Sequence, residues 1–115
     1  MLFPNLKPET VKEIMETSDL VSRFFDAIRR DPCISTTHIS IYMALVYYSK
    51  DQPSAATIHV YSQQIIDICK ISSRSTYYRC MHDLHAFGYL QYMPVFKRNK
   101  PSQVLLCKSK LASGL

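Results

Sequence analysis

Glycine is scarce: Gly88 and Gly114 are the only two among 115 residues. A phosphate-cradling P-loop or a dinucleotide-binding fingerprint needs several closely spaced glycines, because backbone N–H groups must approach the phosphates. Neither can be built here. The four cysteines, Cys33, Cys69, Cys80 and Cys107, contain no C-x-x-C pair. The start of the chain has no charged segment leading into an apolar stretch, so an export signal is not expected and the cysteines read as reduced core thiols. The longest uncharged apolar run, residues 39–49, is too short to span a bilayer. HExxH, GxSxG and paired Asp/Glu motifs are missing. The expectation is a cytoplasmic, non-enzymatic protein with no cofactor, metal, membrane segment or evident small-molecule ligand.

What is present is positive charge on one side of the chain. The net charge is +5 and the pI is near 9.1. Residues 1–60 carry six basic and seven acidic groups; residues 61–115 carry eight basic groups and only Asp67 and Asp83. Such asymmetry suits an acidic partner, most often nucleic acid or an anionic membrane, and it also suits a basic surface kept for solubility. The length fits one domain, burying roughly 65% of the unfolded chain's surface. At 47% hydrophobic and 20% charged the composition is that of an ordinary globular protein.

The periodicity is mostly helical. Residues 1–7 read as an arm. Pro8 and Glu9 suit a first helical turn, and Val11, Ile14, Met15, Val21, Phe24, Phe25 and Ile28 recur at helical spacing to Arg30. Thr17-Ser18-Asp19 favours caps over helix interiors and is expected to divide this stretch into two helices. Ser35 or Thr36 can cap a further helix to about Lys50, apolar around most of its circumference and therefore central. Residues 57–61 are β-prone. Ser62 is expected to cap a short helix over residues 63–69, with Ile65, Ile66 and Cys69 buried. Lys70-Ile71-Ser72 reads as a turn. Ser73 can cap a helix to about Phe87, which Gly88 terminates through a left-handed residue. Residues 89–95 alternate as a strand, residues 96–103 form a basic hairpin loop, and residues 104–107 return as a second strand.

Two helices joined by a three- to four-residue turn, followed by a strand pair with a charged loop, make up residues 65–106. The run Ile71-Ser72-Ser73-Arg74-Ser75-Thr76-Tyr77-Tyr78-Arg79-Cys80, with Leu84 and then Phe87-Gly88-Tyr89-Leu90, resembles the winged helix-turn-helix superfamily. It is similar to MarR-type regulators, to replication-initiator domains and to small DNA-binding proteins of bacterial mobile elements. The resemblance implies a mainly α (α+β) fold: a three-helix core with a small antiparallel β-wing, preceded by N-terminal helices. It divides the chain into residues 1–34, an arm and helices open to dimerisation, and residues 35–115, the winged domain. The function implied is sequence-specific binding of double-stranded DNA, as a transcriptional regulator. A replication-initiation or transfer accessory and a winged-helix protein-interaction module are the alternatives.

The expected site follows from helical geometry. At 100° per residue, Tyr77, Cys80, Met81, Leu84 and Phe87 fall on one arc and should pack inward. Ser75, Tyr78, Arg79, His82 and Ala86 lie opposite, with Ser73 and Arg74 at the N-terminal end. Arginine can bond guanine edges, and Ser and Tyr hydroxyls can reach bases or phosphates. Ser73, Arg74, Ser75, Tyr78, Arg79 and His82 are therefore the candidate groove contacts, although Arg79 and Asp83, four apart, also fit a surface ion pair. Lys97, Arg98, Asn99 and Lys100 are the candidate wing contacts to phosphate or minor groove. His82 and His85 are three apart, but Cys80 faces the other way and no four-ligand zinc set exists. Ile14, Val21 and Ile28, seven apart with Val11 and Phe25 beside them, offer a seam on which a homodimer could form, the alternative and commoner outcome being that the segment packs back on its own domain.

Overall fold

The apolar spacing between Val11 and Ile28 forms one uninterrupted helix, α1 (Pro8–Ile28). The structure is a computed structural model that describes residues 8–52, 57–95 and 100–106, with side chains from residue 18 onward. The break expected at Thr17-Ser18-Asp19 does not occur. Cap-forming residues cost a helix interior only about 0.5–0.7 kcal/mol each. Burial of Leu20 and Phe24 one turn later outweighs this, and Asp19 pairs with Arg23 at 3.0 Å across one turn.

Helix α2 (Thr36–Ser49) begins at Ser35, whose Oγ accepts the His38 N–H at 3.4 Å while His38 Nδ1 accepts the Ser35 N–H at 2.9 Å. This is a reciprocal capping box with histidine in the place of Glu or Gln. Ile41, Tyr42 and Leu45 are fully buried, so α2 is the central helix, although Tyr47 stays exposed. Strand β1 (Thr57–Val60) leads into α3 (Ser62–Cys69). Ser62 does not cap α3: Tyr61 holds that position, and Gln64 Oε1 accepts its N–H at 2.8 Å. The Ser62 hydroxyl is turned instead toward the next helix, where Tyr78 and Arg74 donate to it.

The turn after α3 passes through Lys70 at φ 59°, a left-handed conformation without glycine. The Ile71 N–H closes back on the Ile66 carbonyl at 3.0 Å. A side chain in this region costs about 1–2 kcal/mol, of which the greater unfolded-state freedom of glycine offsets part. Lys70→Gly is therefore expected to stabilise the fold by about 0.5–1 kcal/mol, read as a higher urea midpoint at unchanged slope.

Helix α4 (Arg74–Ala86) ends where expected. Gly88 sits at φ 86°, the Tyr89 N–H bonds the Leu84 carbonyl at 3.0 Å and the Gly88 N–H bonds that of His85 at 3.1 Å. This double closure needs a residue free of Cβ strain. Strands β2 (Leu90–Met93) and β3 (Ser102–Leu106) follow, in an antiparallel sheet of order β1-β3-β2. Strand β3 starts earlier than the expected Val104, because Ser102 pairs with Val60 on one side and Gln103 with Met93 on the other. The fold is thus α+β, with four helices and one three-stranded antiparallel sheet among the described residues.

One core joins these elements. Leu20 and Phe24 of α1, Tyr42 and Leu45 of α2, Tyr77, Met81 and Leu84 of α4, and Ile58, Leu90 and Val104 of the sheet belong to a single buried cluster. Among the described residues no helix is long and apolar enough to cross a membrane.

Candidate functional site

The two faces of α4 divide as its periodicity dictates. Tyr77, Cys80, Met81 and Leu84 are buried, with Phe87 partly so, while Arg74, Ser75, Arg79, His82 and Ala86 are exposed. Tyr78 is half-buried at the flank. Burial holds the Cys80 thiol above its ordinary range despite the neighbouring Arg79, and burial does the same to Cys69. Neither is a thiolate nucleophile near neutral pH.

The N-terminal end of α4 is organised by α3. Arg74 donates to Gln63 Oε1 and, at 3.4 Å, to Ser62 Oγ; Tyr78 donates to the same Ser62 Oγ at 3.4 Å. Gln63 Nε2 in turn bonds Asp67 at 2.6 Å. Arg74 and Tyr78 are thus brought together over the first turn of α3, and Ser62 and Gln63 join the cluster unannounced by the sequence reading. The available signal was Ser62-Gln63-Gln64, a polar turn opening a helix that packs on α4. Ser73 occupies the N-cap position of α4, but its hydroxyl bonds Ser75 Oγ at 2.7 Å and caps no backbone N–H. Further along, the His82 ring meets Tyr92 edge-on at 5.6 Å, and His85 Nδ1 accepts the Tyr92 N–H at 3.0 Å. These contacts fix the pitch of α4 against β2.

Asp83 does not pair with Arg79. It accepts from His38 Nε2 at 2.9 Å, and His38 is buried. Because His38 Nδ1 accepts the Ser35 N–H, the ring proton resides on Nε2, where it donates to the carboxylate. Ser35 Oγ lies 2.7 Å from Nδ1, so Ser, His and Asp stand in line. The line joins the start of α2 to α4 through two side-chain hydrogen bonds. Its effect on the outer face of α4 is to turn Asp83 toward α2. No ion pair to a carboxylate involves Arg74 or Arg79 among the described residues.

Lys100, before β3, is exposed. Lys97, Arg98 and Asn99 of the same segment lie outside the described residues. A groove of about 350 Å³ behind the α3–α4 turn is lined by Thr37, Ser40, Cys69, Lys70, Ser72 and Thr76 among others. Its Cys69 thiol donates to the Ser40 carbonyl at 3.4 Å. Among the described residues no three His, Cys, Asp or Glu side chains form a metal-binding group. No protein-family model matches the chain, and no curated protein matches it in sequence.

Proposed function

We propose that the protein is a winged helix-turn-helix DNA-binding protein, acting as a transcriptional regulator in the cytoplasm. Helix α3, the turn at residues 70–73 and α4 form the helix-turn-helix; β2, β3 and their basic connection form the wing. The observation that carries the reading is the outer face of α4: Arg74, Ser75, Arg79 and His82 are exposed together, and the one carboxylate on the helix, Asp83, is held by His38. A cationic, hydroxyl-bearing helix face without a free carboxylate fits the phosphates and base edges of a major groove. The basic segment 97–100 lies between β2 and β3 in the sequence and would meet phosphates or the minor groove. The polarity of that face speaks against a protein-docking wing, which needs an apolar patch.

The test is fluorescence anisotropy on a random-sequence duplex across a salt series. With about five phosphates neutralised, log K should fall against log salt with a slope of roughly −4 to −5. Negligible binding at low salt overturns the proposal.

A further inference from the structure

Arg74 opens α4, and a neutral amide holds it. Its guanidinium donates to Gln63 Oε1 on α3 and, more distantly at 3.4 Å, to Ser62 Oγ. One turn further along α3, Asp67 accepts from Gln63 Nε2 at 2.6 Å. The order of these groups follows from their chemistry. A guanidinium only donates and a carboxylate only accepts, so the amide between them has a single workable orientation, NH2 toward Asp67 and C=O toward Arg74. Asp67 makes no ion pair with Arg74 among the described residues. Gln63 therefore imposes a direction without cancelling charge, and the arginine keeps its full charge for a partner.

Such a restraint matters most for reading bases. An unrestrained arginine at an exposed helix start can swing to any acceptor, phosphate or base, and so discriminates poorly. A guanidinium with two N–H groups already engaged meets further acceptors from a restricted direction. Against the wrong base its remaining N–H groups lose water without gaining a partner, and that penalty separates one sequence from another. Fixing the side chain before contact also removes an ordering cost from the complex. Of the two restraints Gln63 is the closer, and Asp67 braces it from behind. Ser62 is the looser, and Tyr78 shares its oxygen at 3.4 Å. We propose that Gln63, braced by Asp67, is a positioning residue that sets base preference through Arg74. The proposal rests on the reading of α4 as the helix that faces the duplex.

The test measures anisotropy on a duplex that the wild-type protein selects from a randomised pool, and on the unselected pool, and takes the ratio of the two affinities. Gln63→Ala should lower that ratio roughly 2- to 12-fold, with pool affinity, salt slope and urea midpoint nearly unchanged. In an Arg74→Ala background the same substitution should lower it no further. Asp67→Ala and Asp67→Asn remove the same charge and should tighten binding to every duplex alike. Only Asp67→Ala, which loses the acceptor, should lower the ratio. A Gln63–Asp67 pair that merely supports α3 would shift the urea midpoint and leave the ratio alone. Absence of duplex binding by the wild type overturns the DNA-binding reading together with this proposal. Binding with a ratio that Gln63→Ala leaves unchanged, that it lowers equally without Arg74, or that Asp67→Asn lowers as much as Asp67→Ala overturns this proposal alone.

Discussion

Phe24→Ala is expected to lower the unfolding free energy by about 3–5 kcal/mol. Phe24 is fully buried, stacks on Tyr42 at 3.8 Å with the ring planes 3° apart, and meets Tyr89 edge-on at 5.6 Å. The Tyr89 hydroxyl donates to Asp31 at 2.6 Å, and Asp31 also accepts the Cys33 N–H at 3.0 Å. One aromatic cluster therefore ties α1, the α1–α2 connection, α2 and the start of β2. Burial together with Asp31 pushes the Tyr89 phenol above its ordinary range, so the hydroxyl remains a donor throughout the neutral region. Removing the ring leaves a cavity that three elements line, and a rigid interior closes such cavities poorly. Domains of this size have about 5–15 kcal/mol in total, so the substitution should remove a large share. Urea titration followed by circular dichroism measures it. A cost below about 1 kcal/mol would show that α1 is an appendage rather than part of the core.

On the proposed DNA-binding function, Arg74→Ala combined with Arg79→Ala is expected to abolish most duplex affinity while leaving stability nearly unchanged, because both side chains are exposed. If both meet phosphates, the salt slope becomes shallower by about 2. If either bonds a guanine edge, its loss costs about 1–3 kcal/mol of base discrimination, roughly 5- to 150-fold. Arg74 alone should relax sequence preference, since Gln63 and Ser62 hold its guanidinium in a defined orientation over α3. Lys97→Ala or Arg98→Ala should weaken all sequences alike. Anisotropy with a randomised duplex pool and with sequences selected from it separates these outcomes. Affinity and slope unchanged in the double variant would remove α4 from the interface.

Much of this architecture is legible residue by residue. The inward arc of α4 from Tyr77 to Leu84 follows from its spacing, because a helix can hide only one face. The stop at Gly88 follows from the chemistry of a left-handed position. Ser35 announces α2 for a similar local reason. Where the reading failed, a distant contact had outweighed a local preference. Thr17-Ser18-Asp19 favours a break, but the burial of Leu20 and Phe24 rewards continuity. Ser62 is a good cap by type, but its hydroxyl is used by Arg74 and Tyr78 from another helix. Strand β3 begins at Ser102 because partners on both flanks extend it, and a single segment does not reveal how far its neighbours reach.

The cluster at the head of α4 shows the same division. Arg74 and Tyr78 could be named from helical angles alone. Ser62 and Gln63 could not, since they lie eleven or more residues from Arg74 and meet it only when α3 folds against α4. Nor could the partner of Asp83: Arg79 is one turn away in sequence, yet the carboxylate bonds His38, a residue 45 positions distant.

By itself the sequence determined the number and kind of most elements, the inward and outward faces of α4, the near-absence of glycine that excludes phosphate-cradling loops, and the concentration of positive charge after residue 60. These are properties of local spacing and composition, which the chain carries before it folds. The tertiary structure alone decided that α1 is one continuous helix sharing the core, that β1 joins the β2–β3 hairpin as a third strand, and that Asp83 is drawn toward α2. Each of those depends on which side chains meet across long stretches of chain, and that is settled by packing and hydrogen-bond satisfaction rather than by periodicity.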